Sequence, residues 1–441
     1  MADEGRDDDG LAIPSRRLSR LARFGGLGTS IAGNVLYEGA RTLARGERPA
    51  MDKLLFSKGN TQRVADQLSQ LRGAAMKLGQ LISMVGDDVL PQELADVLGR
   101  LREQAHHMPP SQLRGVLNEE WGRDWQHRLG RFDPRPIAAA SIGQVHRAQT
   151  KDGEQLAIKV QYPGVRESID ADVDNVAALF RMSGQMPKGL DLKPVFEEAK
   201  AQLHDEADYL REGAFMQRFG ELLAGDDRFV VPRLHEELTT ANVLAMSFEK
   251  GQPIDDLGEA DLETRNRVIE GLFELVIREL FEFQLIQTDP NFANYRYRAD
   301  TNQLVLLDFG ATRTIDAELS EGYRRLVGAH LTGDWKAIDA EARKIAMYGG
   351  MLTEAQEEAL KDIFLAAIEP LRHDGPYDFA SSDVTLRMRE AGIRLRQEKF
   401  DHTPNPVMLF LHRKIGGMYL LATRLHARVN VRQLLREHGF D

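Results

Sequence analysis

Apolar positions along the chain fall into three textures. Between residues 61 and 86, Val64, Leu68, Leu71, Ala75, Leu78, Ile82 and Val85 recur at alternating steps of four and three, which predicts a helix with one sustained apolar stripe. Its second half is unusual, because Lys77 is the only charge from Gly73 to Gly86. At about 100° per residue, Gly73, Lys77, Gln80 and Met84 share a second face roughly opposite the stripe. A helix apolar on most sides is buried, and a buried ammonium needs a carboxylate. Lys77 therefore predicts an acidic partner elsewhere in the chain, with a lysine that snorkels to solvent as the alternative.

A further helical stretch is expected from Pro109–Pro110 towards Arg128. From Phe132 the texture becomes β-like, with segments Ala138–His146 and, after a turn at Gly153, Gln155–Gln161 carrying Lys159. Pro194 to Phe219 reads as one helix with Phe196, Ala199, Leu203, Ala207, Leu210 and Ala214 on one face. Val230–His235 and Asn242–Phe248 read as strands, with a break at Gly251–Pro253. Beyond Leu262 the pattern is helical apart from one strand, Leu304–Leu307. The layout is thus helices, then a small mixed unit, then a large helical unit, without internal repeats.

Composition narrows the function classes. With 441 residues, 42% hydrophobic and 28% charged, the chain is an ordinary globular protein of two or three domains at about 150 residues each. A net charge of −11 argues against nucleic-acid binding through overall positive charge. The absence of cysteine excludes disulfides, thiol catalysis and Cys-ligated metals. Five acids in the first ten residues do not suit a signal peptide or a mitochondrial transit peptide. The longest uncharged runs are 14 residues, as in Phe24–Tyr37, short of a bilayer span, and Arg424 and Arg428 interrupt the C-terminal apolar stretch. The expected location is cytoplasmic, with no transmembrane helix. Residues 11–40, basic and amphipathic before a Gly/Ala-rich stretch, either pack as a helix on the body or lie on the inner face of an anionic membrane.

The candidate chemistry lies in two places. Asp289 and Asn294 sit five apart in QTDPNFANY after a long apolar helix, and the strand Leu304–Leu307 then delivers Asp308 into Asp308-Phe309-Gly310. Phosphoryl transfer needs a hard cation on the phosphates and a carboxylate to orient the attacking group, and Asn and Asp oxygens suit Mg²⁺. D-x4-N followed by a strand ending in DFG is the order of kinase catalytic loops. Upstream, Lys159 in LAIK stands where a phosphate-binding lysine would, and Asp208 and Glu212, spaced i, i+4 and placed opposite the helix's apolar stripe, offer it a carboxylate. Glu206, near the other side of that helix, is the natural candidate partner of Lys77. No G-x-G-x-x-G precedes Lys159 and no G-x4-G-K-[ST] occurs, which excludes P-loop NTPases. In the glycine-rich position stands Ala138-Ala139-Ala140-Ser141-Ile142-Gly143, a stiffer loop because alanine disfavours φ > 0.

Taken together, Lys77-Leu78-Gly79-Gln80 (KxGQ), the alanine loop running into SIGQVH, Glu206-Ala207-Asp208 (ExD), QTDPNFAN and DFGATR resemble the UbiB/AarF family of atypical protein-kinase-like proteins, the ADCK group in animals. The QTDPNxxN form is similar to the coenzyme Q kinase branch. The resemblance covers roughly residues 11–430. It implies an α+β, protein-kinase-like fold of two lobes, with a β-rich N-lobe at 131–250, a helical C-lobe at 251–441 and a helical KxGQ extension at 51–130 packed over the active site. Residues 1–10 and 11–50 would form an acidic tail and an amphipathic, Gly/Ala-rich segment.

The resemblance further implies ATP and Mg²⁺ as cofactors. Ala138, Ala139, Ala140, Ser141, Met246, Lys159 and Glu212 would contact nucleotide, with Lys159 also catalytic. Asp289 would be the catalytic aspartate, and Asn294 and Asp308 the metal ligands. Lys77 and Gln80 would occlude the site by engaging Glu206 and Asp208. The implied function is an ATP-dependent kinase or ATPase supporting ubiquinone biosynthesis, with quinone-precursor lipids, an anionic membrane surface and other ubiquinone-biosynthesis proteins as partners. The chain passes from Arg313 into a helix within a few residues and has no A-P-E, leaving little room for an activation segment. Two alternatives remain at this level: a nucleotide-gated lipid- or partner-binding module with negligible turnover, and a small-molecule kinase of the aminoglycoside phosphotransferase type, which the KxGQ and ExD motifs disfavour.

Overall fold

A computed structural model of the chain describes Lys77 and residues 107–182, 193–289, 291–398, 400, 402 and 405–440. The expectations for residues 1–50, the 61–86 helix apart from Lys77, and Gln80 lie outside the described residues. The described chain divides into two compact units: one holds the described residues up to Gly213 together with Leu234–Phe248, the other Ala214–Arg233 and the described residues from Glu249 onwards.

In the first unit, helix α1 (Pro110–Trp121) opens with proline, whose missing N–H is no loss in a first turn, and closes at Gly122 with φ 85°. A 3₁₀ turn (Trp125–Arg128) leads into an antiparallel sheet of β1 (Arg131–Ala139), β2 (Gly143–Gln149), β3 (Gln155–Gln161) and β5 (Val243–Ser247), in the order β1-β2-β3-β5. Alternation splits the sheet into two faces. Ala148, Leu156, Ile158, Val160, Val243 and Ala245 join Leu113, Val116, Leu117, Trp121 and Trp125 in one apolar core, so α1 covers one side. The pairings Val145–Lys159, Lys159–Leu244 and Ala157–Met246 place Val145, Lys159, Ala157, Leu244 and Met246 together on the other.

Two buried polar residues interrupt the covered face, and both are bonded. The Met108 N–H donates to Gln144 Oε1 at 2.8 Å, Gln144 Nε2 lies 2.9 Å from His146 Nε2, and His146 Nδ1 lies 3.0 Å from the Asp133 carbonyl. An amide NH₂ must donate and a carbonyl must accept, so His146 is neutral with its proton on Nδ1. Burial is the main cause that pushes its pKa down to about 4.

The expected single segment Ala138–His146 is instead a hairpin tip. β1 ends at Ala139, Ala140–Ile142 turn, and the Ala140 N–H is closed by the Gly143 carbonyl at 2.8 Å. Gly143 admits no side chain: a Cβ there would lie 2.4 Å from the Val160 carbonyl oxygen and 2.9 Å from the Tyr209 hydroxyl.

Helix α2 (Val165–Met182) follows, and the expected helix from Pro194 to Phe219 is two: α3 (Lys193–Glu206) and α4 (Tyr209–Leu223). The break has a local cause. Gln161 Nε2 takes the Ala207 carbonyl at 2.7 Å, and the Arg211 N–H turns to the Asp208 side chain at 3.1 Å, so Asp208 caps a new helix. The restart shifts the phase: Tyr209, Glu212, Met216, Phe219 and Leu223 face inward, while Leu210 is 55% exposed and Ala214 is also outside. Glu212 therefore sits on the buried stripe itself, not opposite it. The expected strand Val230–His235 reduces to β4 (Phe229–Val230) and a bridge from Leu234 to Met246.

In the second unit, α5 (Leu262–Arg278) is capped by the Asp261 side chain on the Thr264 N–H and widens into a π turn, Glu279–Phe283. Gln284 then adopts φ 51° and releases β7 (Leu285–Gln287). More strands follow than the sequence pattern suggested. β6 (Gln252–Pro253), β8 (Tyr295–Arg298) and β9 (Gln303–Leu306) join β4 in a sheet ordered β4-β9-β8-β6, and β7 pairs with β10 (Thr312–Thr314). The remainder is helical: α6 (Ala317–Thr332), α7 (Trp335–Lys344), α8 (Glu354–Arg372), α9 (Val384–Gln397), α10 (Pro406–Arg424) and α11 (Val431–Glu437), with a small β11–β12 ladder (Tyr377–Asp378, Arg428–Val429). Among the described residues, no helix is long and apolar enough to cross a membrane.

Two outcomes are expected. Gly143→Ala forces β2 from β3 or Tyr209 outward and lowers stability by about 1–3 kcal/mol in urea unfolding; an unchanged midpoint would mean that the strand pair yields freely. The His146 contribution to stability is complete above the ordinary imidazole value of 6.5 and is lost as pH falls from there to about 4, since the unfolded chain takes up the proton first. Urea midpoints should fall across that window while the His146 imidazole NMR signal stays neutral to about pH 5.

Candidate active site

The first unit builds one half of the chemistry around two buried lysines. Lys159 Nζ lies 3.0 Å and 2.9 Å from the two Glu212 oxygens, and the residues are 8% and 1% exposed. The ammonium also sits 5.1 Å from the Tyr209 ring centroid. The arrangement follows from the helix break, since Asp208 starts α4 where its first turn presents both Tyr209 and Glu212 to β3. A lysine and a carboxylate buried this deeply are tolerated because each neutralises the other.

Lys77 is helical, buried, and forms an ion pair with Glu206. Ser141 Oγ donates to the other Glu206 oxygen at 2.8 Å, so one carboxylate ties the alanine-rich tip to Lys77. Ala138 and Ala139 end β1, and Ala140 and Ser141 form the tip before Gly143. Met246 shares the sheet face of Lys159. The ExD residues separate in role: Glu206 bonds to Lys77, whereas Asp208 is a helix cap and not a second partner of the lysine.

The second unit clamps the Asp289 loop and the Asp308 loop together with two ladders. On one side, β7 pairs with β10, and both the N–H and the hydroxyl of Thr288 donate to the Ala311 carbonyl, at 3.1 and 2.7 Å. On the other, Tyr295 pairs with Leu306, and the Leu307 N–H donates to the Asn294 carbonyl at 2.9 Å. Between these ladders, Asn294 Nδ2 donates to Asp289 Oδ2 at 3.2 Å, and Asp308 Oδ1 accepts the Gly310 N–H at 3.0 Å. The buried Tyr295 phenol registers the concentration of charge: burial raises its pKa well above 10, and Glu279, Asp289 and Asp308 add to the effect. Phe309 is 1% exposed and packs on Phe219 with centroids 5.1 Å apart, which anchors the loop behind Asp308.

These residues fit a magnesium ion. Because the Asn294 NH₂ is turned to Asp289, its amide oxygen would be the atom that serves as a ligand, with the Asp308 carboxylate as the other. Among the described residues no group of three or more His, Asp or Glu side chains is arranged to hold a metal alone, and two oxygen ligands completed by phosphate and water are what Mg²⁺ prefers. Sequence reasoning missed Gln161, which breaks the helix, Tyr209, and the buried pair Glu279–Lys414. None of them has a motif, and only the apolar setting of Lys414 in LFLHRKIGG hints at burial.

Comparison with known proteins bears on the family and the fold. Residues 100–342 match the ABC1 atypical kinase-like domain. The atypical kinase COQ8, mitochondrial, of Saccharomyces cerevisiae is 36% identical over 430 residues, spanning 97% of this chain and 85% of that one. The atypical kinase COQ8B, mitochondrial, of Rattus norvegicus is 37% identical over 432 residues, spanning 96% and 81%. A solved structure described as the Rv3197–erythromycin complex from Mycobacterium tuberculosis superposes with a TM-score of 0.59 at 23% identity over 87% of this chain and 96% of that one, a likeness of fold.

Lys77→Ala leaves Glu206, whose side chain is only 16% exposed, without its cation. We expect a stability loss of about 3 kcal/mol, the lower end for breaking a buried pair because Ser141 still donates. Urea unfolding beside Lys77→Ala/Glu206→Gln checks this: the double variant should recover much of the loss, and equal loss in both would contradict the pairing.

Proposed function

The chain belongs to the family of ABC1 atypical kinase-like domains, and we propose that it is an Mg²⁺-ATP-dependent kinase or ATPase supporting ubiquinone biosynthesis, acting on or beside lipid-embedded quinone precursors. The observation that carries this reading is the double clamp that holds Asp289, Asn294 and Asp308 together. Lys159, held by Glu212, contacts the ATP phosphates, and Ala138–Ser141 and Met246 contact the rest of the nucleotide. Asn294 and Asp308 hold Mg²⁺, which when bound neutralises charge on the phosphates. Asp289, fixed by the Asn294 amide, orients the attacking hydroxyl or water and accepts its proton. The ubiquinone assignment rests on the relatives named COQ8 and COQ8B.

A second reading draws on the Ser141–Glu206–Lys77 link. Because the nucleotide-contacting tip is tied to Lys77, ATP occupancy sets the position of Lys77, and the protein works as a nucleotide-gated binding module. Turnover separates the two. ATP hydrolysis with Mg²⁺ is measured with and without anionic liposomes carrying a phenolic quinone-precursor mimic, for the native protein, Asp289→Asn and Asp308→Asn. The enzyme reading expects stimulated turnover that falls at least about 100-fold in both variants with nucleotide binding retained in Asp289→Asn. Flat turnover that ignores both substitutions overturns it in favour of the gated reading.

A further inference from the structure

Among the described residues of the second unit, the most deeply buried charges are not in the candidate active site. Glu279, in the π turn, and Lys414, in the middle of α10, form an ion pair with each residue 1% exposed. Such a pair is weak as a stabilising device, since apolar residues of the same size serve as well or better. Its location gives it another use. In the β7–β10 ladder the Thr288 N–H bonds Ala311 and the Ile315 N–H bonds Gln284. Bonded and non-bonded pairs alternate in antiparallel strands, so the intervening Gln287–Thr312 pair is non-bonded and the Gln287 N–H points away from β10. Among the described residues no further strand lies on that edge. The acceptor is Glu279 Oε1, at 3.4 Å.

The Gln287 side chain does not share this anchoring. It is 5% exposed, yet neither its amide nitrogen nor its amide oxygen has a hydrogen-bond partner. Among the described residues, the strand that ends two residues before Asp289 is therefore secured on its outer side at the Gln287 backbone N–H. We propose that Glu279 and Lys414 are positioning residues: the Glu279 carboxylate stands in for a missing neighbouring strand at Gln287, and Lys414 holds that carboxylate in place, so that Asp289 is presented at a fixed position. The inference rests on Asp289 being the catalytic aspartate. Burial pushes Glu279 up and Lys414 down from their ordinary pKa values, and their mutual contact opposes both shifts. The other polar groups facing the pair are the Tyr295 phenol and the Gln287 backbone.

Two uncharged replacements of similar size differ in whether an acceptor remains. Glu279→Gln/Lys414→Met keeps a carbonyl oxygen for the Gln287 N–H, and Glu279→Leu/Lys414→Met removes it. We expect both to bind a fluorescent ADP analogue as the native protein does. The Gln variant should keep kcat for Mg²⁺-ATP hydrolysis within about threefold, and the Leu variant should lose about 10- to 100-fold in kcat with little change in KM. Equal kcat in the two variants overturns the proposal. Native-state hydrogen exchange at the Gln287 amide reads the same contact without turnover, so a failure of the proposed function is distinguishable from a failure here. Its exchange should be at least about 100-fold faster in the Leu variant than in the Gln variant, and equal protection overturns the role. If neither variant folds, the native protein decides: a Gln287 amide exchanging like an open strand edge overturns the anchoring, and one as protected as its neighbour Ile286 supports it.

Discussion

Everything in the first unit turns on one broken helix. Had residues 193–223 formed a single helix, Glu206 and Glu212, six apart, would stand on widely different faces, and only one could meet the sheet. Gln161 prevents this by taking the Ala207 carbonyl, and Asp208 lowers the cost of the break by capping α4. The two carboxylates can then be aimed separately, one at Lys77 and one at Lys159. Burying four charges is tolerable because they are buried as two pairs. The residue that sets the pairing, Gln161, carries no charge and lies on the strand of Lys159, two positions further on.

The second unit solves a different problem, holding two loops still while leaving Asp289 and Asp308 only half-buried. Its strands are three or four residues long around the site, too short to be stable alone. They work because each ladder pairs residues flanking one acidic loop with residues flanking the other, so that neither loop can move without breaking hydrogen bonds on both sides. Behind them, Phe309 and the Glu279–Lys414 pair fill the interior with one apolar and one ionic anchor.

The motifs were legible because phosphoryl transfer restricts residue type at each position: an Asp and an Asn five apart, a strand, then Asp-Phe-Gly. The strand of Lys159 was legible to the residue, since Gly153 and alternation bound it on both sides. The helix break was not, because apolar spacing carries on through Ala207, Leu210 and Ala214 and nothing local reveals that a glutamine 46 residues upstream claims a carbonyl. The short strands escaped for a related reason. Only Tyr295-Arg296-Tyr297-Arg298 alternates visibly, with both tyrosines buried, and it was absorbed into a helical expectation set by its surroundings. Lys414 was hidden by its own type, since a lysine in a helix is ordinarily an exposed residue and its partner lies 135 positions away.

The connection after Asp308 bears on regulation. From Gly310 the chain reaches the α6 cap at Asp316 in six residues, and most of those are occupied: Ala311 accepts from Thr288, Thr312–Thr314 pair with β7, and the Ile315 N–H is held by Gln284. A segment bonded along its length cannot swing between ordered and disordered states as regulatory kinase loops do. The contrast in the first unit is Glu206, whose two oxygens accept one each from Ser141 at the alanine-rich tip and Lys77. Because each donor takes a different oxygen of the same carboxylate, displacing that carboxylate disturbs both contacts at once.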